Sequence, residues 1–204
     1  MQEYLESSKY IDWLHPDVFK QARLLAGDSK QEEKIAKACF TFVRDEIKHS
    51  WDYQLNPVTC MASDVLKYGT GYCYAKNHLL AALLRANQIP AGLCYQRLTI
   101  SDEGLYFFRL PDKPPFCLHG LNAIYLEQYG WYRVDARGNK SSVKSEFIPP
   151  FEQLAYPIVT EGEIDLPEIW GQPLPAIVQA IENGKDYLQV SENLPDIQII
   201  KKYK

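Results

Sequence analysis

The chain has 204 residues, of which 46% are hydrophobic and 24% charged, so it can form a packed core and is not a disordered protein. The 22 Lys and Arg residues against 26 Asp and Glu give a net charge of −4, and no basic cluster extends beyond Lys201-Lys202, so we expect no nucleic-acid partner. No apolar run is long enough for a membrane span, and the N-terminus has no signal segment. We therefore expect a cytoplasmic protein that does not interact with membranes.

The first part of the chain has helical periodicity. After His15-Pro16, apolar residues recur at helical spacing as far as Gly27, which predicts a helix that ends there. A second helix is predicted with Ser29 as its N-cap and Glu32 completing a capping box. Residues 51–59 are aromatic and polar and contain a proline, so we predict a loop that lines a site.

The middle of the chain contains its strongest helical pattern. A short helix over residues 62–68 is predicted to end at Gly69, and a glycine-containing turn then leads into a helix over residues 73–86. Apolar positions cover most of the circumference of this longer helix. We therefore predict that it is central and buried.

The pattern changes to a period of two after Pro90. The alternation predicts strands around residues 93–98 and 117–124, and a hairpin joins the second of these to a strand over residues 131–137. A further helix is predicted near the C-terminus, over residues 175–181. The chain thus reads as helices followed by antiparallel strands.

Cys73 is the cysteine whose position favours chemistry. The chain has five cysteines and no CxxC pair, which fits neither a disulfide framework nor a zinc finger, so we expect free thiols and no metal. Cys73 follows two glycines and begins a helix, where unpaired N–H groups and the helix dipole stabilise a thiolate. Cys39 and Cys94 lie in apolar periodic segments and are expected to be inert. A phosphate-binding loop is the alternative, but the Lys-Ser/Thr of a P-loop is missing.

A nucleophilic cysteine needs a base, and the chain has four histidines. His78 lies about 140° around the helix axis from Cys73, too far round to reach the thiol. His15 is interpreted as a helix-start residue, and His49 as a residue that stabilises the C-terminal end of a helix. His119 lies within an alternating strand, where a buried imidazole needs a hydrogen-bond partner.

Asp135 is a candidate for that partner. A hairpin loop centred on residue 127 or 128 puts His119 opposite residue 135 or 137, and in both registers Asp135 shares its sheet face. The carboxylate would then orient the imidazole in a set of nucleophile, base and orienter. A structural ion pair of Asp135 with Arg133 or Arg137 is the alternative, and the residues alone leave the two equally open.

Five other residues are candidates for contact with the substrate. Cys117 shares a face with His119, but a thiol in mid-strand lacks the helix dipole, so we expect it to pack or to line the substrate site. A second group is needed to stabilise an oxyanion together with the backbone N–H of Cys73. The candidates for this role are Trp51, Tyr53, Gln54 and Gln96.

Three segments carry a resemblance to a known family. They are Gly-Thr-Gly-Tyr-Cys73-Tyr-Ala-Lys-Asn-His, His119-Gly-Leu-Asn-Ala and Gly130-Trp-Tyr-Arg-Val-Asp135-Ala. In this order they resemble the core of the transglutaminase-like superfamily in its bacterial form, over about residues 40–140, and flanking segments resemble its candidate cysteine-protease branch. The resemblance implies a Cys-His-Asp triad and a papain-like α+β fold, with a central helix packed on an antiparallel β-sheet.

The resemblance also implies acyl transfer through a thioester on Cys73. We expect a hydrolase, a peptidase or amidase without a cofactor, whose substrate is a peptide, a protein or a small amide. One alternative is a non-catalytic peptide-binding module with the same fold, and another is an amine-accepting transglutaminase or acyltransferase. Arylamine N-acetyltransferases use the same residue order, but their Arg-Gly-Gly lead into the cysteine is replaced here by residues 69–72. The sequence makes no prediction of oligomeric state.

The length suits one domain. We predict a single transglutaminase-like domain over residues 1–204. Its parts would be a helical N-terminal part over about residues 1–50, a catalytic core over about 51–140 and a C-terminal extension over about 141–204. The extension is rich in proline and is expected to wrap around the core.

Overall fold

The N-terminal part of the protein is helical. The structure is a computed structural model that describes residues 1–99, 116–138, 140 and 143–197. A short 3-10 helix, Gln2–Tyr4, precedes α1 (Pro16–Ala26), α2 (Glu32–Glu46), α3 (Ser50–Tyr53), α4 (Ala62–Tyr68) and α5 (Cys73–Ala86). Between these helices, β1 (Lys48–His49) and β2 (Thr70–Gly71) pair in parallel.

Strands dominate the chain after α5. They are β3 (Ala91–Thr99), β4 (Phe116–Leu126), β5 (Gly130–Val134), β6 (Glu146–Ile148), β7 (Phe151–Gln153) and β8 (Ile164–Asp165). Within the described residues, four of them form an antiparallel sheet in the order β5-β4-β3-β8, and β6 pairs with β7. Helices α6 (Pro175–Glu182) and α7 (Tyr187–Glu192) follow.

Helix α5 is the centre of the core, as predicted. All of its residues are buried, because α1, α2 and α4 pack on it together with strands β3 and β4. Each fully buried leucine on this helix contributes roughly 1.5–3 kcal/mol of hydrophobic stabilisation. The buried Arg85 guanidinium donates to the carbonyls of Glu6, Ala91 and Gly171. The predicted α+β fold, with a central helix on an antiparallel sheet, is confirmed.

One local prediction in the helical part is wrong, and another is correct only in part. Ser29 does not cap α2, because its hydroxyl accepts from the backbone N–H of Gln31 in a local turn and the helix begins one residue later. The predicted loop over residues 51–59 begins with the short helix α3, whose Trp51 packs against Tyr187, a contact that local sequence does not encode. His15 begins α1 as predicted.

The β4–β5 hairpin adopts one of the two predicted registers. Asn122 pairs with Val134, and the pairs centre on residue 128. The ladder ends at Val134 and not at residue 137, because Asp135 leaves the strand with its carboxylate bonded to backbone N–H groups. His119 therefore lies beyond the end of β5, beside the Asp135 side chain.

The C-terminal extension packs against the core. Helix α6 buries Ile177, Val178 and Ile181 in the core. Further along, the Leu118 N–H donates to the carbonyl of Pro195 at 2.8 Å. The division into three parts of one domain stays a prediction. In the part of the chain that the structure describes, no helix combines the length and apolar character needed to cross a membrane.

Candidate active site

Cys73 lies where the paired strands β1 and β2 lead the chain into α5. A Cβ at Gly71 would lie 3.1 Å from Ala75 and Thr59, so glycine lets this turn pack closely under the helix start. Cys73 is the first residue of α5, and its side chain lines a cavity of about 450 Å³. The predicted position of this thiol at a helix N-terminus is confirmed.

His119 and Asp135 are joined by a buried hydrogen bond. The imidazole Nε2–H donates to Asp135 Oδ2 at 2.7 Å. The same imidazole lines the cavity together with Cys73, whose sulfur interacts with it electrostatically, and Nδ1 is the ring nitrogen that Asp135 does not use. Asp135 also accepts from the backbone N–H groups of Arg137 at 3.0 Å and Ala155 at 3.3 Å. The structure thus places Cys73 and His119 at the same cavity and bonds His119 to Asp135.

The charges of His119 and Asp135 stabilise each other. Burial opposes the charged imidazole, but the Asp135 carboxylate and the Cys73 sulfur outweigh it and raise the pKa of His119 to about 10. Burial likewise opposes ionisation of Asp135, yet the charge and hydrogen bond of His119 hold the pKa of that carboxyl below its usual value. At neutral pH the pair is therefore an imidazolium and a carboxylate, the state that can hold a thiolate.

The contribution of His119 to stability is expected to depend on pH. Its pKa is about 10 in the folded protein and about 6.5 in an unfolded chain, so its stabilising contribution is fully present below about pH 6.5 and is lost as the pH rises towards about 10. We expect the difference in unfolding free energy between the wild type and His119→Ala to shrink over this range. Urea unfolding at pH 6, 8 and 10 measures it, and a difference that stayed constant or grew would contradict the ion pair.

The alternative role of Asp135 as a structural partner of an arginine is wrong. The Arg133 guanidinium pairs with Glu152 and Asp165. The Arg137 side chain pairs with Asp52, and only its backbone N–H reaches Asp135.

His49 is a site residue that the sequence analysis missed. It was interpreted as a residue at a helix end, but it is buried, and its Nε2 accepts from the backbone N–H of Cys73 at 3.2 Å. Nδ1 therefore carries the proton and lies 3.7 Å from Asp52 Oδ2. Burial, helped by the charges of Arg137 and Lys76, lowers the pKa of His49 well below its usual value. The imidazole is thus neutral and occupies the N–H group that was expected to bind an oxyanion.

A network of charged side chains holds the loop that follows Asp135. Asp52 accepts from Arg137 at 2.6 and 3.0 Å and from Lys140 at 3.1 Å. Below it, the Lys76 ammonium on α5 donates to the carbonyls of Ile47 at 2.5 Å and Arg137 at 2.8 Å, and burial lowers its pKa to about 7. These contacts connect the loop, the β1 segment and the first turn of α5.

The other predicted site residues are divided between the cavity and places away from it. Trp51 and Cys117 both line the cavity beside Cys73. Tyr53 is 56% exposed under the ammonium of Lys48, and Gln54 is exposed at the end of α3. The structure does not bring these last two side chains to the Cys73 cavity.

Gln96 supports the site from the neighbouring strand. It pairs with His119 across β3 and β4, and its side-chain N–H groups donate to Asp165 Oδ1 at 2.8 Å and to the Tyr156 carbonyl at 3.3 Å. The Tyr156 ring packs edge-on against the His119 imidazole, with ring centroids 5.1 Å apart. Gln96 therefore positions the aromatic ring that covers His119.

None of the five cysteines forms a disulfide, and four of them are buried. Burial raises the pKa of Cys39, Cys60 and Cys94 to about 12, which makes these three inert. Within the described ranges, no three His, Cys, Asp or Glu side chains are grouped as a metal ion would require, and the absence of a metal stays a prediction.

Cys73 is expected to be the fastest of the five thiols to react with iodoacetamide at pH 6. The reason is that Cys73 combines a place at a helix start with the neighbouring protonated His119, whereas Cys117 lies in mid-strand and burial raises the pKa of Cys39, Cys60 and Cys94. Peptide mapping after brief labelling measures the order of reaction. If Cys117 or Cys60 carried the label while Cys73 stayed unmodified, the assignment of the nucleophile would be wrong.

Comparison with known proteins identifies the family. The family model of the transglutaminase-like superfamily matches residues 20–136, more than half of the chain, and this segment contains Cys73, His119 and Asp135. The chain therefore belongs to the transglutaminase-like superfamily. Membership supports a cysteine-dependent enzyme.

Two solved structures are similar to part of the chain. One is described as a candidate cysteine protease from Cytophaga hutchinsonii, with 21% identity and a TM-score of 0.48 over 66% of this chain and 40% of that one. The other is a candidate protease from Parabacteroides distasonis, with 14% identity and a TM-score of 0.43 over 72% of this chain and 26% of that one. The matched region thus covers less than half the length of each of these two solved proteins. A search of curated proteins found no match.

Proposed function

We propose that the protein is a cysteine hydrolase that cleaves an amide or peptide bond through a thioester on Cys73. The observation that carries this proposal is the buried hydrogen bond between His119 and Asp135, with His119 and the Cys73 thiol lining the same cavity. A binding module that had lost activity would have no need for a buried ion pair beside a thiol at a helix start. Burying two charges costs desolvation free energy, and such pairs are typical of functional sites.

The reaction follows from the protonation states of the pair. The Cys73 thiolate attacks the carbonyl carbon, the His119 imidazolium gives its proton to the leaving nitrogen, and the C–N bond breaks to leave a thioester. Neutral His119 then takes a proton from water as the water attacks the thioester, and the acid departs with the thiolate and imidazolium restored. Asp135 keeps Nε2 protonated throughout, so that Nδ1 faces the sulfur.

The developing oxyanion needs N–H donors. The backbone N–H of Cys73 is one, and a substrate carbonyl must replace His49 Nε2 as its acceptor. Trp51 lines the same cavity and is a further candidate.

Water is the proposed acceptor, and the charges at the cavity favour it over a lysine amine. Arg137 and Lys140 line the cavity, and both are paired with Asp52. The Glu163 carboxylate also lines it, but it is held by hydrogen bonds from Thr99 and from backbone N–H groups. An ammonium acceptor would thus have to compete with these internal partners for the carboxylates of Asp52 and Glu163.

The test compares hydrolysis with amine transfer. p-Nitrophenyl acetate and a panel of peptide amides are incubated with the wild type and with Cys73→Ala, each with and without a millimolar primary amine. We expect turnover that requires Cys73 and gives mainly free acid with or without the amine. Amine adducts forming faster than free acid would overturn the hydrolase assignment, and equal turnover by Cys73→Ala would overturn the nucleophile.

A further inference from the structure

We propose that the cavity beside Cys73 selects an acyl group with an apolar side chain, and that Leu194 determines how well this group fits. The inference rests on the proposed function and names the class of acyl donor that the site would accept. Three features of the cavity support it. The wall is largely apolar, polar groups in the wall are bonded within the protein, and the C-terminal segment forms one side.

The wall of the cavity is largely apolar. It includes the rings of Trp51, Tyr74 and Tyr156 and the side chains of Leu98, Leu118 and Leu194. A volume of about 450 Å³ lies in the range of small-molecule sites and is ample for one side chain. Transfer of an apolar group from water into such a space is favourable.

Two tyrosine hydroxyl groups in this wall are already bonded within the protein. The Tyr72 hydroxyl donates to the carbonyl of Tyr187, and the Tyr74 hydroxyl donates to the carbonyl of Leu118. Their rings therefore face the cavity while their donors are used elsewhere. A polar side chain of the substrate would lose water without gaining these hydrogen bonds, which is unfavourable.

The charged groups of the wall are also paired. The Glu163 carboxylate accepts from Thr99 Oγ1 at 2.5 Å and from the N–H groups of Thr99, Val159 and Thr160 at 2.9–3.0 Å. Arg137 and Lys140 both bind Asp52, which lies outside this cavity. A charged acyl group would have to compete with these internal partners.

One side of the cavity is formed by the C-terminal segment, residues 187–197. The segment is anchored at one end by the Tyr72 hydroxyl on the Tyr187 carbonyl, and at the other by the Leu118 N–H on the Pro195 carbonyl. An ion pair between Arg97 and Asp196, with two hydrogen bonds of 2.7 and 2.8 Å, strengthens the second anchor. Leu194 lies between the anchors and faces the cavity, so its size sets the room for the acyl group.

The test measures the rate of Cys73 acylation by three esters. They are p-nitrophenyl acetate, p-nitrophenyl hexanoate and mono-p-nitrophenyl glutarate. The hexanoyl and glutaryl groups are similar in length, but the first ends in a methyl group and the second in a carboxylate. Release of p-nitrophenol in the first turnover gives each acylation rate. Each rate is divided by the rate at which the same ester reacts with 2-mercaptoethanol, which corrects for the intrinsic reactivity of the ester. We expect the corrected rate for hexanoate to exceed that for glutarate and for acetate by about tenfold or more.

Two variants test the role of the C-terminal segment. Leu194→Ala is expected to reduce the advantage of hexanoate severalfold, and Leu194→Phe is expected to shift the preference towards acetate by filling the cavity. Leu188→Ala is the matched control, since it makes the same change in the same segment at a side chain that is 39% exposed and outside the cavity. Thermal unfolding establishes that each variant is folded.

Equal corrected rates for hexanoate and glutarate in the wild type would overturn the inference. So would equal effects of Leu194→Ala and Leu188→Ala with an unchanged preference in Leu194→Phe. If acetate acylated Cys73 but no preference appeared, the proposed function would stand and this inference would fail. If none of the three esters acylated Cys73, both would fail.

Discussion

Replacing Asp135 by asparagine is expected to lower turnover by about two to four orders of magnitude. Asp135 Oδ1 accepts from the backbone N–H of Arg137, and Oδ2 accepts from His119 and from the backbone N–H of Ala155. An amide has one N–H₂ group, which would face an N–H donor in either orientation. The variant therefore loses the charge that stabilises the imidazolium, and in the orientation that puts the amide nitrogen at the Oδ2 position it also loses the hydrogen bond from His119.

The measurement is the steady-state rate with the best ester or peptide donor, together with thermal unfolding. Glu152→Gln is the control, because it makes the same chemical change in a carboxylate that pairs with Arg133 away from the thiol. We expect Glu152→Gln to retain turnover within about threefold, as is usual for partly exposed ion pairs. A folded Asp135→Asn variant with similar turnover would show that Asp135 does not orient His119.

His119→Ala is expected to slow the alkylation of Cys73 at pH 6 by about ten- to a hundredfold. A neighbouring imidazolium gives a gain in the reactive thiolate form at pH 6, and the variant loses that positive charge. The lower nucleophilicity of a stabilised thiolate takes back part of this gain. Rates of iodoacetamide labelling at pH 6, followed by peptide mapping, measure the effect.

His78 provides the matched control for this variant. It is a buried histidine on the same helix as Cys73, but its Nδ1–H donates to the carbonyl of Cys60 at 2.7 Å, and burial lowers its pKa to about 4. It is thus neutral at pH 6 and bonded away from the thiol. We expect His78→Ala to leave the labelling rate nearly unchanged, and a larger loss in His78→Ala than in His119→Ala would contradict the triad.

Much of the site could be predicted because its signals are local. The two glycines before Cys73 and the apolar circumference of the following helix lie within one continuous stretch. The approach of His119 to Asp135 also follows from a short hairpin, whose period of two leaves the two residues on one face in either register. In such cases neighbouring residues determine the geometry.

The missed features depend on contacts between distant segments. His49 reaches the Cys73 N–H because β1 pairs in parallel with β2, which lies more than twenty residues further along the chain. Strand β1 has only two residues, so its sequence shows no detectable periodicity. Trp51 is ordered into a helix against Tyr187, which is still more distant in sequence. The wall that Leu194 contributes likewise follows from anchors at Leu118 and Arg97. No local pattern encodes these pairings.

The most direct test of the central claim is to trap the acyl-enzyme. Wild-type protein is mixed with p-nitrophenyl hexanoate and quenched in acid within the first turnover, and intact mass and peptide mapping then locate the hexanoyl group. We expect one group per chain on Cys73, its slower appearance in Asp135→Asn, and none in Cys73→Ala. A hexanoyl group on Cys117, or turnover by Cys73→Ala at the wild-type rate, would contradict the thioester mechanism.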